Sequence, residues 1–262
     1  MMRDIEIYAT RDELMEAAAE RLVTLAERAI KARGLCTVAL SGGSTPRELY
    51  ALLSQEPFVE QLDWANLHVF WGDERAVPPE HPDSNYRMAA DALLAKVPIS
   101  PENIHRIPGE LAPADAAIAY ERVLRRFFGD APATQHNALP GLSVPHALFD
   151  VVLLGMGADG HTASLFPGTT AVLERDRWVV PVAVRQLDAW RITLTPPVLN
   201  AARQILFLVA GAEKAWTLAQ VVTGPYQPEV LPAQAIEPEA GTLLWLVDAA
   251  AAAYLDAGMA VS

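Results

Sequence analysis

The sequence predicts an α/β protein with a three-layer, Rossmann-like architecture, in which a mostly parallel sheet carries helices on both faces. Three observations lead to this prediction. Short apolar runs recur along the 262 residues, segments with helical spacing alternate with them, and 52% of the residues are hydrophobic. Such runs are typical of strands covered on both faces, and their alternation with helices favours parallel pairing. We expect a single domain over residues 1–262.

The predicted elements follow the hydrophobic pattern. A first helix is predicted at 12–33, where apolar residues keep helical spacing until Gly34, a residue that commonly ends helices. The predicted strands lie at 35–40, 67–71, 149–154, 178–184, 205–210 and 243–247. Further helices are predicted at 46–53, 85–96, 113–128, 196–203, 213–222 and, in an alanine-rich tail, 249–253. The segment 129–145, rich in Pro, Ala and Gly, is expected to be a surface loop.

Net charge and composition restrict the classes of function that this chain could have. The formal net charge of −12 predicts a surface that repels nucleic acid and anionic membranes. The chain has no uninterrupted apolar run of about 18 residues, and residues 1–6 carry charge where a signal peptide would be apolar, so we expect a cytoplasmic protein. Cys36 lies within an apolar run and is expected to be a core residue rather than a catalytic thiol.

The first candidate site is the glycine-rich loop after the first predicted strand. Gly42 and Gly43 permit a tight turn that exposes backbone N–H groups, and the helix that follows attracts anions to its N-terminus. Thr45 and Glu48 have the spacing of a capping box, with Pro46 in the first turn. The loop is therefore predicted to bind phosphate, although a plain glycine turn into a capped helix also explains it. It lacks the lysine of a triphosphate-binding loop.

The second candidate site is the acidic motif that directly follows the apolar run at 67–71. Asp73, Glu74 and Arg75 could supply acid–base groups or bind substrate hydroxyls. A solvated turn explains the same three residues, and on this motif alone the plainer interpretation is favoured. The motif gains weight only if it lies beside the other loops at one edge of the sheet.

The third candidate site follows the predicted strand at 149–154. Gly155, Gly157 and Gly160 match the dinucleotide-binding pattern, but the next strand ends without the acidic residue that would bind a ribose. His161 is the more informative residue, because an imidazole with a pKa near 6.5 can act as a general base at neutral pH. Asp159, two residues earlier, could fix the tautomer of that imidazole.

Together, the motifs resemble those of the 6-phosphogluconolactonase family. The similarity rests on SGGSTP at 41–46, GDER at 72–75, GMGADGHTASLFPG at 155–168, RITLT at 191–195 and GAEK at 211–214. It implies hydrolysis of 6-phospho-D-glucono-1,5-lactone in the oxidative pentose phosphate pathway. We expect no metal or other cofactor, because no cluster of the six histidines has ligand spacing and an activated ester does not require a Lewis acid.

The resemblance also implies roles for individual residues. His161 is expected to be the catalytic base. From the residues themselves, Asp159 is expected to orient it, and Asp73 or Glu74 is the next candidate for the base. Arg75 or the backbone N–H groups of residues 155–160 are expected to stabilise the oxyanion. The substrate phosphate is expected to contact Gly42, Gly43, Ser44, Thr45, Arg191 and Lys214.

Two other functions stay open at this point. Glucosamine-6-phosphate deaminases share the glycine-serine loop and the DGH element, but they carry a glutamate where this chain has Phe166 and commonly a tyrosine where it has Arg75. A sugar-phosphate sensor would need a partner domain, for which the acidic chain has no room. We expect the phosphorylated lactone as the partner, no nucleic acid, no membrane, and a monomer.

Overall fold

In the computed structural model, the described residues are 4–129, 147–238 and 240–255. The strands are β1 (Asp4–Tyr8), β2 (Cys36–Leu40), β3 (Leu67–Trp71), β4 (Asp73–Arg75), β5 (Val151–Gly155), β6 (Val179–Val184), β7 (Ala189–Leu194), β8 (Gln204–Val209) and β9 (Thr242–Asp248). The α-helices are α1 (Arg11–Arg33), α2 (Ser44–Leu53), α3 (Phe58–Gln61), α4 (Asn85–Ala89), α5 (Pro113–Phe128), α6 (Pro196–Asn200) and α7 (Ala215–Thr223).

The central sheet confirms the predicted fold class. Across the described residues it has six strands in the order β1-β9-β8-β5-β2-β3, and every pairing in it is parallel. Every residue of β2 is buried, as expected for a strand covered on both faces. On β8 and β9, Phe207 and Trp245 stack at 3.9 Å between ring centroids. Helices surround this sheet and give the three-layer arrangement.

Residues at the two ends of helix α1 determine where the helix begins and ends. Thr10 caps its start by accepting a hydrogen bond from the backbone N of Glu13 at 3.2 Å. Gly34 ends it in the left-handed conformation, with φ +81°. The buried face of the helix contacts β1, β2 and β9 and also α2. The helix therefore spans one face of the sheet and leads from β1 to the start of β2.

A second sheet corrects the prediction for residues 178–184. This apolar run is indeed a strand, but it belongs to a separate sheet, which in the described ranges has the order β4-β7-β6 and antiparallel pairings. An apolar run alone does not reveal its pairing partner. Strand β4 is the acidic motif itself, too short and too polar to be predicted from hydrophobic pattern. The pairing places Arg75 opposite Arg191.

Two other segments differ from the prediction. Strand β1 pairs at the edge of the central sheet, and only part of it is buried, so its charged sequence lacks an apolar run. The predicted helix at 85–96 is the short helix α4 followed by a π-helical segment, Ala90–Leu94. Of the predicted loop at 129–145, all but Gly129 lies outside the described residues.

The segment at 249–253 consists of turns instead of the predicted helix. Asp248, at the end of β9, accepts a hydrogen bond from the backbone N of Ala251 at 2.7 Å. Its carboxylate also accepts from the backbone N of Gly211, at 3.1 and 3.0 Å. Such side-chain bonds to nearby backbone groups favour turns over helix. The same carboxylate ties the end of β9 to the loop after β8.

Two buried tyrosines fix the ends of neighbouring strands. The Tyr50 hydroxyl accepts from the backbone N of Ser41 and donates to its carbonyl, both at 2.9 Å. Tyr120 makes the same pair of bonds with Trp71, at 2.9 and 3.0 Å. Burial raises the pKa of both phenols, so each keeps the proton that it donates. Each hydroxyl thus serves both backbone groups of one residue where a strand ends.

Candidate active site

An open cleft lies at the carboxyl edge of the parallel sheet. Loops that leave β2, β3, β5 and β8 form most of its walls. The residues that line it are Ser41, Gly42, Gly43, Ser44, Thr45, Pro46, Asp73, Arg75, Asn85, Gly155, Met156, Gly157, His161, Ala163, Leu208 and Lys214. Ligands of open parallel sheets bind at this edge, so we take the cleft as the candidate active site.

The glycine-rich loop forms one wall of the cleft. Gly43 has φ +106° and ψ 169°, a backbone region that is essentially restricted to glycine. A Cβ atom on Gly42 would lie 2.0 Å from Oδ1 of Asn85, so the loop backbone packs directly on that amide. Helix α2 begins at Ser44, and the unpaired N–H groups of its first turn lie at the wall. This geometry suits an anion.

The predicted capping box is wrong. Gly43 is the N-cap of α2, and in this described helix no side chain caps the first turn. Thr45 is buried, and its Oγ1 accepts a hydrogen bond from Nη2 of Arg11 at 3.3 Å. Glu48 binds Nε of the same arginine at 2.6 Å instead of reaching back to the loop. A capping side chain would occupy N–H groups of the first turn, so this arrangement keeps them available to a ligand.

Asp73 joins three loops at the floor of the cleft. Its Oδ2 accepts a hydrogen bond from Oγ of Ser164 at 2.6 Å, which links it to the histidine loop. Nδ2 of Asn85 donates to the carbonyl of Asp73 at 2.9 Å and to its Oδ1 at 3.3 Å. The side chain is buried, and both carboxylate oxygens are engaged. Asp73 therefore holds the loops together as well as lining the cleft.

Glu74 is buried beside the cleft and organises the start of α4. It accepts hydrogen bonds from the backbone N of Arg75 (2.8 Å), Asn85 (2.7 Å) and Tyr86 (2.8 Å) and from Oγ of Ser84 (3.0 Å). Burial raises the pKa of Glu74 above its ordinary value, against the opposite effect of these bonds. All four partners are donors, so the ionised carboxylate is the form that satisfies them at neutral pH.

Arg75 and Arg191 lie side by side on the paired strands β4 and β7. Nη1 of Arg75 donates to the carbonyl of Asp83 at 2.6 Å, and the residue lines the cleft. Arg191 lies next to the cleft without lining it. Burial and then the charge of Arg75 lower the pKa of Arg191. Two like charges on opposed strands are unfavourable by themselves, so a bound anion would stabilise this pair.

The histidine loop brings the candidate base to the cleft. Nδ1 of His161 lies 2.5 Å from Oδ1 of Asp159, and the backbone N of His161 donates to the same oxygen at 3.1 Å. Burial alone would raise the pKa of Asp159, but the hydrogen bond and charge of His161 outweigh it and lower the pKa. The imidazole stacks on Phe166 with ring centroids 4.2 Å apart. Asp159 therefore occupies Nδ1, and Nε2 is the nitrogen left for chemistry.

Lys214 lines the cleft at the end of the short 3₁₀ helix Ala212–Lys214. This turn begins at Gly211, which has φ +105° and is held by the carboxylate of Asp248. Burial lowers the pKa of Lys214; the carboxylate of Glu213 opposes this shift, and the positive charge of Arg11 adds to it. A half-buried ammonium group near a second cation favours an anionic ligand.

Comparison with known proteins places this site in a family. A family model described as glucosamine-6-phosphate isomerases/6-phosphogluconolactonase matches residues 9–245. The chain belongs to this family. It is 44% identical to the 6-phosphogluconolactonase of Nostoc sp. over 256 residues, covering 97% of this chain and 99% of the relative. It is 41% identical to that of Synechocystis sp. over 254 residues, covering 95% and 96%.

A solved structure supports the same relationship. The 6-phosphogluconolactonase from Trypanosoma cruzi superimposes with a TM-score of 0.81 at 30% sequence identity, covering 97% of this chain and 98% of that one. The predicted membership of the 6-phosphogluconolactonase family is confirmed. The roles of individual residues in this family member remain predictions, which the geometry of the cleft helps to argue.

The structure brings most of the predicted site residues of this family member together. The residues that line the cleft are Gly42, Gly43, Ser44, Thr45, Asp73, Arg75, His161 and Lys214, with Asp159 and Arg191 one contact away. Three residues were missed by the sequence reasoning: Arg11, Asn85 and Asp248. Asn85 stands in a polar bend, and the other two lie at the ends of predicted elements, where only the fold reveals their contacts.

Two further observations concern the described part of the family member. No group of three or more His, Cys, Asp or Glu side chains in the described ranges is arranged to hold a metal ion. Among the helices of the same ranges, none combines the length and the apolar composition needed to cross a membrane. The expectation that no cofactor is required stays a prediction.

Proposed function

We propose that this chain hydrolyses 6-phospho-D-glucono-1,5-lactone to 6-phospho-D-gluconate, the lactone-opening step of the oxidative pentose phosphate pathway, with His161 as the general base. The main observation in support of this proposal is that His161 is paired with Asp159 in the same cleft as the glycine-rich loop, whose geometry suits an anion. The curated relatives at 44% and 41% identity bear the name of this activity.

In the proposed reaction, His161 takes a proton from water through Nε2 as the water oxygen attacks the lactone carbonyl. Asp159 accepts a hydrogen bond from the Nδ1–H group, which keeps the neutral tautomer with a free Nε2 and stabilises the imidazolium that forms. The tetrahedral intermediate then collapses, and the bond between the carbonyl carbon and the ring oxygen breaks. The imidazolium returns its proton to that oxygen, which leaves the base ready for another cycle. The carboxylic acid that forms then ionises and releases the other water proton to the solvent.

Arg75 is the better candidate for stabilising the oxyanion. In the alternative loop, the backbone N of Gly157 already donates to the carbonyl of His161, and that of Gly160 donates to the carbonyl of Gly157. The backbone N of His161 is likewise engaged with Asp159. Arg75 lines the cleft and forms no ion pair within the described ranges. A cationic donor at this position suits a developing negative charge.

The phosphate end of the substrate is proposed to lie at the glycine-rich loop. Gly42 and Gly43 let the backbone approach closely, while Ser44 and Thr45 supply hydroxyls and N–H groups at the start of α2. Lys214 lines the same cleft. Arg191 adds positive charge beside Arg75, so we assign it a contact with the same phosphate through the edge of the cleft.

Two parallel assays test the proposed function. Freshly prepared lactone is assayed by pH-stat, because each ester opened releases a proton, and glucosamine 6-phosphate is assayed by ammonia release. We expect proton release well above the spontaneous rate and no ammonia. Ammonia release alone would overturn the proposal in favour of a deaminase, and tight binding without turnover in either assay would favour a sensor. We also propose that the protein is a monomer in the cytoplasm. Size-exclusion chromatography tests the oligomeric state.

A further inference from the structure

We propose that Phe166 is a positioning residue for the base, and that its ring holds the imidazole of His161 in the orientation that presents Nε2 to the cleft. The inference rests on the proposed function, because a fixed ring matters only if His161 moves a proton. The two rings are stacked, with centroids 4.2 Å apart and an interplanar angle of 24°. Phe166 itself is only 9% exposed, so it is a fixed surface rather than a mobile side chain.

Three contacts restrict different motions of the imidazole. Asp159 fixes the direction of Nδ1 through the bond at 2.5 Å. Gly157 backs the same edge of the ring, since a Cβ atom there would lie 2.2 Å from Nδ1. Phe166 covers a face of the ring and opposes rotation of the imidazole plane. The carboxylate of Asp159 is half exposed, so its hydrogen bond competes with water and does not by itself fix the plane.

The turn after the histidine is built to return Phe166 to this position. Ala163 has φ +47°, a left-handed conformation that is unusual for a residue with a side chain. The backbone N of Leu165 bonds back to the carbonyl of Thr162 at 2.9 Å, which closes the turn. Oγ1 and the backbone N of Thr169 both donate to the carbonyl of Phe166, at 2.7 and 3.1 Å. Phe166 is therefore held from both sides in the chain.

The expected effect follows from the geometry of proton transfer. A general base acts only when its nitrogen lies within hydrogen-bond reach of the attacking water, and a displacement of about 1 Å can cost about 100-fold in rate. Loss of the stacking ring would let the imidazole sample other orientations without removing it. The rate should therefore fall by less than it does when His161 itself is lost, and substrate binding at the phosphate end should be unaffected.

Steady-state kinetics of matched variants test this inference. Phe166→Leu keeps an apolar side chain but removes the ring, and we expect kcat to fall about tenfold with KM within about twofold of wild type. Phe166→Tyr keeps the ring and should retain most of kcat. Phe149→Leu is the matched control, because Phe149 is a buried aromatic residue just before β5, at the opposite edge of the sheet. It should lose thermal stability and keep kcat.

A double variant and a spectrum separate positioning from general packing. If Phe166 acts through His161, adding Phe166→Leu to His161→Ala should not lower the residual rate further. In the wild-type protein, the ring protons of His161, assigned by their loss in His161→Ala, should resonate upfield of those of free histidine because of the stacked ring. This spectrum needs no Phe166 variant to fold.

Three outcomes would overturn the inference while leaving the lactonase proposal standing. They are an active wild-type enzyme whose Phe166→Leu variant keeps its kcat, His161 ring protons without the upfield shift, and a further loss of rate in the double variant. An inactive wild-type protein would instead contradict the proposed function. A further loss of rate in the double variant would show that Phe166 acts by a route other than His161.

Discussion

The chemical role proposed for His161 depends on the residues around it. Asp159 takes one ring nitrogen and leaves the other to face the cleft. The sequence pattern predicts this pair correctly, since two residues in one tight turn have little freedom to separate. The contact with Phe166 is a different case, because a turn with a left-handed Ala163 is invisible to hydrophobic periodicity.

Replacement of the base is the first prediction. His161→Ala should fold normally and lose about 10²–10⁴-fold in kcat, because general-base assistance contributes about that much. KM should change little, since the proposed phosphate contacts lie at another part of the ligand. The measurement is the initial rate of proton release with the spontaneous hydrolysis subtracted. A variant that retained more than about a third of wild-type kcat would make His161 a structural residue and Asp73 or Glu74 the next candidate for the base.

The second prediction concerns Arg191 and Lys214, the two cationic side chains proposed to contact the substrate phosphate. Arg191→Ala and Lys214→Ala should each raise KM about tenfold, in line with a charge-assisted contact of about 1.5–3 kcal/mol. Lys31→Ala is the control, because Lys31 is exposed near the far end of α1. Full saturation curves on the lactone measure the effect. An unchanged KM in both variants would place the phosphate elsewhere.

Among the elements, the glycine-rich loop shows most clearly what sequence can and cannot predict. The close backbone approach at Gly42 and the unusual φ of Gly43 follow from the residue type. The capping box fails because Thr45 is buried inside the first turn and Glu48 meets Arg11, a residue 37 positions away in the chain. Long-range ion pairs of this kind override local capping preferences, and no local pattern reports them.

The loop's backbone provides the third prediction. Gly43→Val should destabilise the fold by about 1–3 kcal/mol, because a side chain is unfavourable at this φ and ψ, and it should also raise KM. Gly34→Ala is a matched control: Gly34 also has a positive φ, but it ends α1 and lies away from the cleft. The control should lose stability without a change in KM. Urea unfolding and saturation curves on both variants measure the two effects separately.

At the scale of the whole molecule, parallel pairing explains why distant motifs meet. The carboxyl ends of β2, β3, β5 and β8 lie along one edge, so loops far apart in sequence line one cleft. The alternation of apolar runs and helices predicts this arrangement. It does not predict the second sheet. The antiparallel pairing of β4 with β7 depends on long-range contacts, and the three polar residues of β4 form no hydrophobic pattern that would indicate them. The single domain over 1–262 stays a prediction.

An aromatic cluster away from the cleft gives a prediction for stability in acid. Nδ1 of His68 and Nε2 of His105 lie 3.3 Å apart, and His105 stacks on Phe70 at 4.3 Å. Burial lowers the pKa of both histidines, and the charge of His68 lowers that of His105 further. The unfolded chain therefore binds protons more readily than the folded one. The contribution of these two histidines to folding stability is fully present above the ordinary histidine pKa, and it is lost as the pH falls below that value.

Thermal unfolding at pH 7.5 and pH 5.5 measures this effect. We expect a lower Tm at pH 5.5, and His105→Phe should reduce the difference because it keeps an aromatic ring and removes a titrating group. His81→Gln is the control, since His81 is exposed at a loop. An equal loss of Tm in wild type and His105→Phe would assign the acid sensitivity to other groups.

The paired hydrogen bonds that Tyr50 and Tyr120 make with the backbone affect how fast the backbone beside the cleft can open. Each phenol closes the hydrogen bonding of one residue at a strand end, so the backbone opens only when the tyrosine leaves its buried place. Amide hydrogen exchange at Ser41 and Trp71 should therefore be as slow as in the strands themselves. Tyr50→Phe should speed exchange at Ser41 and cost about 1–3 kcal/mol, because it leaves buried backbone groups without partners. Gly42 is then the first residue of the glycine-rich loop whose backbone neither tyrosine holds.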